Sequence, residues 1–301
     1  MHRLGLIVSV LLLVSCGASQ GTGNEDGGVG NGGDDGGGGG GGNVADANDD
    51  CEAPDMLLLV DRTMSMHRDP EGARPPNTPE GHASSKWSIA VNSIQGVTTA
   101  LDDGIRFGLA LFPVDPGGNQ CVTLEERITN ITATNDACQQ GEVLVSPAIN
   151  SGPDIDSAIS VDMTRLCTST PIGAGLETAR DALASLQSSA RKQFAVLLTD
   201  GEDTCDETLA LATVQEMADA DVKSYIIGFG GNGVDNGLLN DLACAGQTAT
   251  GFPAPCTDDG AGHFTATDRD GTPLYQLAED AAQLTATLEG FAGEVCCDCI
   301  D

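Results

Sequence analysis

The sequence predicts an α/β domain: a doubly wound, mostly parallel central sheet with helices on both faces, preceded by a disordered Gly-rich tether. Three observations carry this. Continuous apolar runs at residues 56–60 and 194–199 read as strands buried on both faces. Segments of helical periodicity separate the strand candidates, and such alternation favours a parallel sheet with right-handed crossovers. Residues 17–50, by contrast, hold almost nothing apolar, so they cannot offset the entropy of being ordered. The division that follows is 1–15 as a leader, 16–50 as a linker and 51–301 as one domain, long enough for a substantial core.

The leader starts with Met1-His2-Arg3, a short positive stretch, and residues 4–14 are apolar. That run is too short to span a bilayer and suits the core of a signal peptide. It ends in Leu13-Val14-Ser15-Cys16, which resembles the bacterial lipobox. The resemblance implies lipidation of Cys16 by several acyl chains, which together anchor stably where one does so marginally. Gly17 stands where many inner-membrane lipoproteins carry aspartate, so an outer-membrane location is favoured. The linker contains Asp34-Asp35 and an unbroken glycine run at residues 36–42. As flexible coil it spans roughly 30 Å. Its glycine and aspartate also suggest calcium-binding repeats, but these need a regular large apolar residue, and Val29 is the one candidate.

Along the domain, strands are expected at 56–60, 106–112, 194–199, 224–229 and, briefly, 263–266. Helix 86–94 places Trp87, Val91 and Ile94 on one face. A helix opens at Pro171 after Thr170 and runs to residue 186, since proline suits the first helical turn. Residues 207–218 and 274–291 are also helical in pattern. Between 117 and 160 the signal is less regular, and an edge hairpin (122–128 with 142–145) and a short helix near Asp156 are expected.

The formal charge is −32, from 45 acidic and 13 basic residues. Such a surface repels nucleic acid and anionic lipid, so membrane contact is expected through the lipid anchor alone. Aromatic residues make up 3% of the chain, so the core must rest on Leu, Ile, Val and Ala. There are 11 cysteines. With Cys16 lipidated, the rest are Cys51, Cys121, Cys138, Cys167, Cys205, Cys244, Cys256, Cys296, Cys297 and Cys299, an even set. In an exported protein a disulfide framework is the default. Cys296-Cys297-Asp298-Cys299 also has a zinc reading, weakened by the scarcity of histidine: His67, His82 and His263 after the leader. Spacing does not fix the connectivity. The expected pairs are Cys121 with Cys138, Cys167 with Cys205, Cys244 with Cys256, and Cys51 with one of the last three.

The chemistry gathers at strand ends. Leu57-Leu58-Leu59-Val60 leads into Asp61, with hydroxyls at Thr63 and Ser65. Phe194-Ala195-Val196-Leu197-Leu198-Thr199 leads into Asp200-Gly201, and Thr170 precedes the helix that feeds this second strand. With strand order 3-2-1-4-5-6, Asp61 and Asp200 sit on neighbouring strands at the switch point, where open α/β sheets bind ligands. Carboxylates and hydroxyls together offer oxygen ligands, which suit a hard divalent cation.

On these residues the chain resembles the von Willebrand factor type A domain, a Rossmann-like fold, from about residue 51 to 291. Its adhesion-type metal site, called MIDAS, is D-x-S-x-S plus a separate Thr and a separate Asp in a T-D-G context. By resemblance the metal residues are Asp61, Thr63, Ser65, Thr170 and Asp200. Thr63 replaces Ser and keeps the hydroxyl; Met64 replaces the usual Gly. Lys86-Trp87, the segment Phe107-Gly108-Leu109-Ala110-Leu111-Phe112-Pro113, and Tyr225-Ile226-Ile227-Gly228-Phe229-Gly230 extend the likeness. The resemblance implies Mg2+ as cofactor, with Mn2+ or Ca2+ as substitutes. Thr63 and Ser65 would be direct ligands, and Asp61 and Asp200 would hold ligand waters.

The function implied is an exported, lipid-anchored module that binds a protein or peptide carboxylate through the cation. The alternative is an envelope structural or scaffolding lipoprotein with a non-functional metal site. An enzyme is not expected, because no H-E-x-x-H helix or Walker loop appears. Residues 66–85, with His67, Arg68, Asp69 and Arg74, are expected either to rim the ligand face or to form an idle surface loop. Glu202, Asp203 and Asp206 stand on its other side, as tuners of cation affinity or as solvated charges.

Overall fold

A computed structural model describes residues 52–76, 78–117, 121–123, 138–162, 164–186, 191–230 and 234–297, without the side chains of Cys296 and Cys297. The leader, Cys16, the tether, Cys51 and Cys299 lie outside the described residues. Among the described residues no helix is long and apolar enough to cross a membrane.

The main sheet has six strands: β1 (Asp55–Asp61), β2 (Arg106–Phe112), β4 (Glu142–Ala148), β6 (Gln193–Thr199), β7 (Val222–Phe229) and β10 (Gln276–Ala278). Their spatial order is β10-β7-β6-β1-β2-β4. Counted along the sheet strands alone, this is the expected 3-2-1-4-5-6. Five strands are parallel, and β4 lies antiparallel on β2 at the edge.

Side chains alternate between two cores, as a pleated strand requires. Met56, Leu58 and Val60 face one side with Phe194, Val196 and Leu198. Leu57, Leu59, Ala195 and Leu197 face the other. The first core is closed by α2 (Lys86–Leu101), α3 (Gly152–Ala158) and α7 (Ala281–Cys297). The second is closed by α4 (Ile172–Leu186), α5 (Glu207–Asp219) and α6 (Asn236–Ala245). Burial on both faces is why these strands read as unbroken apolar runs. Trp87, Val91 and Ile94 of α2 all enter the first core, and the Trp87 indole donates to the Ser160 carbonyl at 3.2 Å. Gly108 is needed for the edge strand to pack: a Cβ there would lie 2.6 Å from Cδ of Pro147.

Several expectations are corrected. Residues 121–122 do not join a hairpin with the strand at 142. They form β3 (Cys121–Val122), which pairs with β5 (Leu166–Cys167) in a separate ribbon. The expected extension to residue 128 lies outside the described residues. Strand 263–266 is β9 (Phe264–Ala266), but it pairs with β8 (Cys256–Asp258) instead of the main sheet. The sixth sheet strand is β10, inside the stretch expected to be helical, so α7 begins at Ala281. Helix α6 was not expected.

Cys121 bonds Cys167, Cys138 bonds Cys205, and Cys244 bonds Cys256. The last pair is as expected; the first two exchange partners. The cause is the β3–β5 ribbon, which sets Cys121 directly opposite Cys167. The expected bond from Cys51 to the C-terminal cysteines falls outside the described residues.

Candidate metal centre

Strand register brings the site together. Val60 pairs with Leu198 and Asp61 with Phe112, so β1 and β6 end level with each other at their carboxyl ends. Asp61 is fully buried. Its Oδ1 accepts the Thr63 N–H at 2.8 Å, an Asx-type turn that starts the loop. Its Oδ2 accepts the Thr199 hydroxyl at 2.7 Å. Burial, reinforced by the nearby Asp200 charge, pushes the Asp61 carboxyl up to about 7 against the hydrogen bonds that favour its ionised form.

A chain of hydroxyls links the two aspartates. Ser65 Oγ donates to Asp200 Oδ1 at 2.7 Å. Thr63 Oγ1 lies 2.7 Å from Ser65 Oγ. Ser65 has one proton, given to Asp200, so Thr63 is the donor in that contact. Thr170 reaches the same place: a Cβ on Gly201 would lie 3.8 Å from Thr170 Oγ1 and 4.0 Å from Ser65 Oγ. All five sequence-predicted residues therefore converge on one end of the sheet.

Met64 fits without strain. It begins a 3-10 turn over Met64–His67 and packs against the first core. It is not among the described non-glycine residues with positive φ, which are Asn150, Asp221 and Gln247. A glycine is therefore not required there.

Five residues that position the site were not read as such from the sequence. Thr199 holds Asp61, as above. Thr204 clamps Thr170: its hydroxyl accepts the Thr170 N–H at 2.9 Å, and its own N–H donates to the Thr170 carbonyl at 3.1 Å. Asp203 accepts the Gly173 N–H at 3.0 Å, at the start of α4. Asp206 caps α5 through the N–H groups of Thr208 and Leu209. Asp203 and Asp206 thus order the loop and helix ends, a use beyond the two roles expected for them. The fifth is Lys86, whose ammonium forms an ion pair with Asp200 Oδ2. The T-D-G context and the unusual burial of a lysine were the available signals, and burial is not visible in sequence.

Residues in the 66–85 stretch are placed as follows. His67 and His82 are buried, with ring centroids 6.2 Å apart. Arg68 donates to the Gly72 carbonyl at 2.9 Å, and Asp69 accepts the Ala73 N–H at 2.7 Å, so residues 68–73 form a self-bonded loop.

The donor set fits a hard cation: two carboxylates and three neutral hydroxyls, with oxygen as the donor in each. Among the described residues there is no group of three or more His, Cys, Asp or Glu side chains that could hold a metal ion.

The von Willebrand factor type A domain profile matches residues 142–255, a span that includes Thr170 and Asp200 but not the Asp61 loop. No curated protein sequence gives a significant match. Among solved structures, a von Willebrand factor type A protein from Catenulispora acidiphila is similar at 15% identity and TM-score 0.50, over 81% of this chain and 43% of that one. Proximal thread matrix protein 1 from the mussel byssus is similar at 12% identity and TM-score 0.50, over 82% of this chain and 49% of that one. The chain thus spans about half the length of these two proteins. At such identities the likeness concerns fold. Sheet order, layered helices and the profile match agree: residues 142–255 match the von Willebrand factor type A domain, and the described chain has the fold of that domain.

Proposed function

We propose that this chain is an exported, lipid-anchored binding module that holds a divalent cation and, through it, a protein or peptide carboxylate. The observation that carries this reading is the convergence of Asp61, Thr63, Ser65 and Asp200 in one hydrogen-bonded chain, with Thr170 beside it. Thr63 and Ser65 would bind the cation directly. Asp61 and Asp200 would supply the charge and hold its waters, and Thr170 would complete the set. Mg2+ is the first choice, because it keeps several waters and needs few protein ligands; Mn2+ or Ca2+ would substitute. With neutral hydroxyls as direct ligands, the cation would remain electrophilic toward an incoming carboxylate. The signal-like leader, Cys16 and the residue 17–50 tether support presentation of this face away from a membrane, with the outer membrane favoured by Gly17.

A second reading has one observation in its favour. The Lys86–Asp200 ion pair gives the site an internal positive charge, which suits an envelope scaffolding protein with a non-functional metal site. The test is capture from solubilised envelope by the full chain, with Mg2+ or with chelator, for wild type and Asp61→Ala. Partners retained by wild type in Mg2+ alone support the first reading. Identical capture in all four conditions favours the scaffold.

A further inference from the structure

Lys86 is one of three lysines in the chain, with Lys192 and Lys223. It is 2% exposed, whereas lysines are almost never fully buried unless paired. Its position is also unfavourable for a cation. It is the first residue of α2, after the Ser85 cap, where the helix dipole is positive. Two features hold it there. Its N–H donates to the Arg68 carbonyl at 2.8 Å, tying it under the 68–73 loop. Its side chain passes the end of β7: a Cβ on Gly230 would lie 3.2 Å from Lys86 Cδ and 3.5 Å from Nζ. Gly230 has φ +103°, so the close passage and the backbone both call for glycine.

The side chain therefore delivers its ammonium to Asp200 Oδ2, a carboxylate of the candidate metal centre. That oxygen is buried and takes no hydrogen bond, so the ammonium supplies its compensation. The other buried cation near the strand ends, Arg62, faces elsewhere, toward the Pro113 carbonyl and Glu142.

We infer that the Lys86 ammonium is an internal competitor for the cation site: a divalent cation gains Asp200 by releasing Lys86 from it. This rests on the cation-site reading and goes beyond it. The pair offsets Asp200's buried charge in the cation-free protein, which keeps the site folded and lowers its affinity for the cation. The consequence is a threshold, with the site staying self-paired until the cation concentration is high enough to displace the ammonium.

The experiment uses the full chain and Mg2+ or Mn2+ alone. Affinity is measured by titration calorimetry for wild type, Lys86→Met and Lys86→Gln, the second variant guarding against a folding failure in the first. In parallel, wild type carrying 13C-labelled lysine is titrated with Mg2+ and its three lysine side-chain signals are followed by NMR. The expected result is at least tenfold tighter binding in both variants, and a shift of the Lys86 signal that saturates with the cation while Lys192 and Lys223 stay still. Tighter binding with an unmoved Lys86 signal overturns competition, because it makes Lys86 a bystander charge. Equal affinities with measurable binding overturn it while leaving the cation site intact. If neither wild type nor variants bind either ion, the cation reading fails and the competition falls with it.

Discussion

Thr199 Oγ1 donates a 2.7 Å hydrogen bond to Oδ2 of Asp61, and so joins the carboxyl ends of the neighbouring strands β6 and β1. Both residues are fully buried. The bond fixes which way the Asp61 carboxylate turns, leaving Oδ1 for the Thr63 N–H.

Replacing Thr199 by Val keeps the shape and removes the donor. A buried carboxylate oxygen then loses its partner, at a cost of about 1–3 kcal/mol. Urea unfolding of Thr199→Val in chelator should show a loss of this size with an unchanged m-value. A variant as stable as wild type would mean that the bond is not what orients Asp61.

The Asp61 carboxyl, pushed up to about 7 by burial and by Asp200, binds its proton more tightly folded than unfolded. Between its ordinary value of 3.8 and about 7 the folded state holds more protons. This group's contribution to stability is therefore full below the lower value and falls as pH rises through the upper one. In chelator, the wild-type stability curve should decline over that window relative to Asp61→Asn. Parallel curves would contradict the shift. A cation must displace the same proton, so wild-type cation affinity should rise with pH up to about 7 and then level.

The disulfides frame this end of the sheet. Thr63 bridges to Cys167, and the Cys167 N–H donates to the Arg62 carbonyl at 2.7 Å. The bond to Cys121 closes a separation of 46 residues, which the chain-entropy model values at about 4 kcal/mol. Non-reduced peptide mapping should recover Cys121 with Cys167 and Cys138 with Cys205. Fragments joining Cys121 to Cys138 would contradict the β3–β5 ribbon. Cys121→Ala with Cys167→Ala should lower stability by roughly the stated amount.

Much of the fold was readable because its central strands are buried on both faces. That burial writes unbroken apolar runs, and the residue ending each run, Asp61 or Asp200, becomes visible by contrast. Helix α6 was hidden for a related reason. It is ten residues long, and all its residues after Asn236 are buried, the polar Asn240 and Asp241 among them, so its burial does not follow from residue type. Its polar members are satisfied from afar: Asn240 bonds the carbonyl of Arg269 and the N–H of Leu274. Strand β10 is three residues long and merges with the apolar spacing of α7. The exchanged disulfides depended on a two-residue ribbon with no signature of its own. At the site, the ligand-type residues were legible as a pattern. Thr199, Thr204 and Lys86 were not, because each acts through a partner brought near only by folding.

The most direct measurement of the central claim is equilibrium dialysis of Mn2+ with the full chain, comparing wild type, Asp61→Asn and Asp200→Asn at pH 8, with folding checked by circular dichroism. The account predicts one ion bound per wild-type chain and binding weakened at least a hundredfold in each folded variant. Equal Mn2+ binding by all three would contradict it.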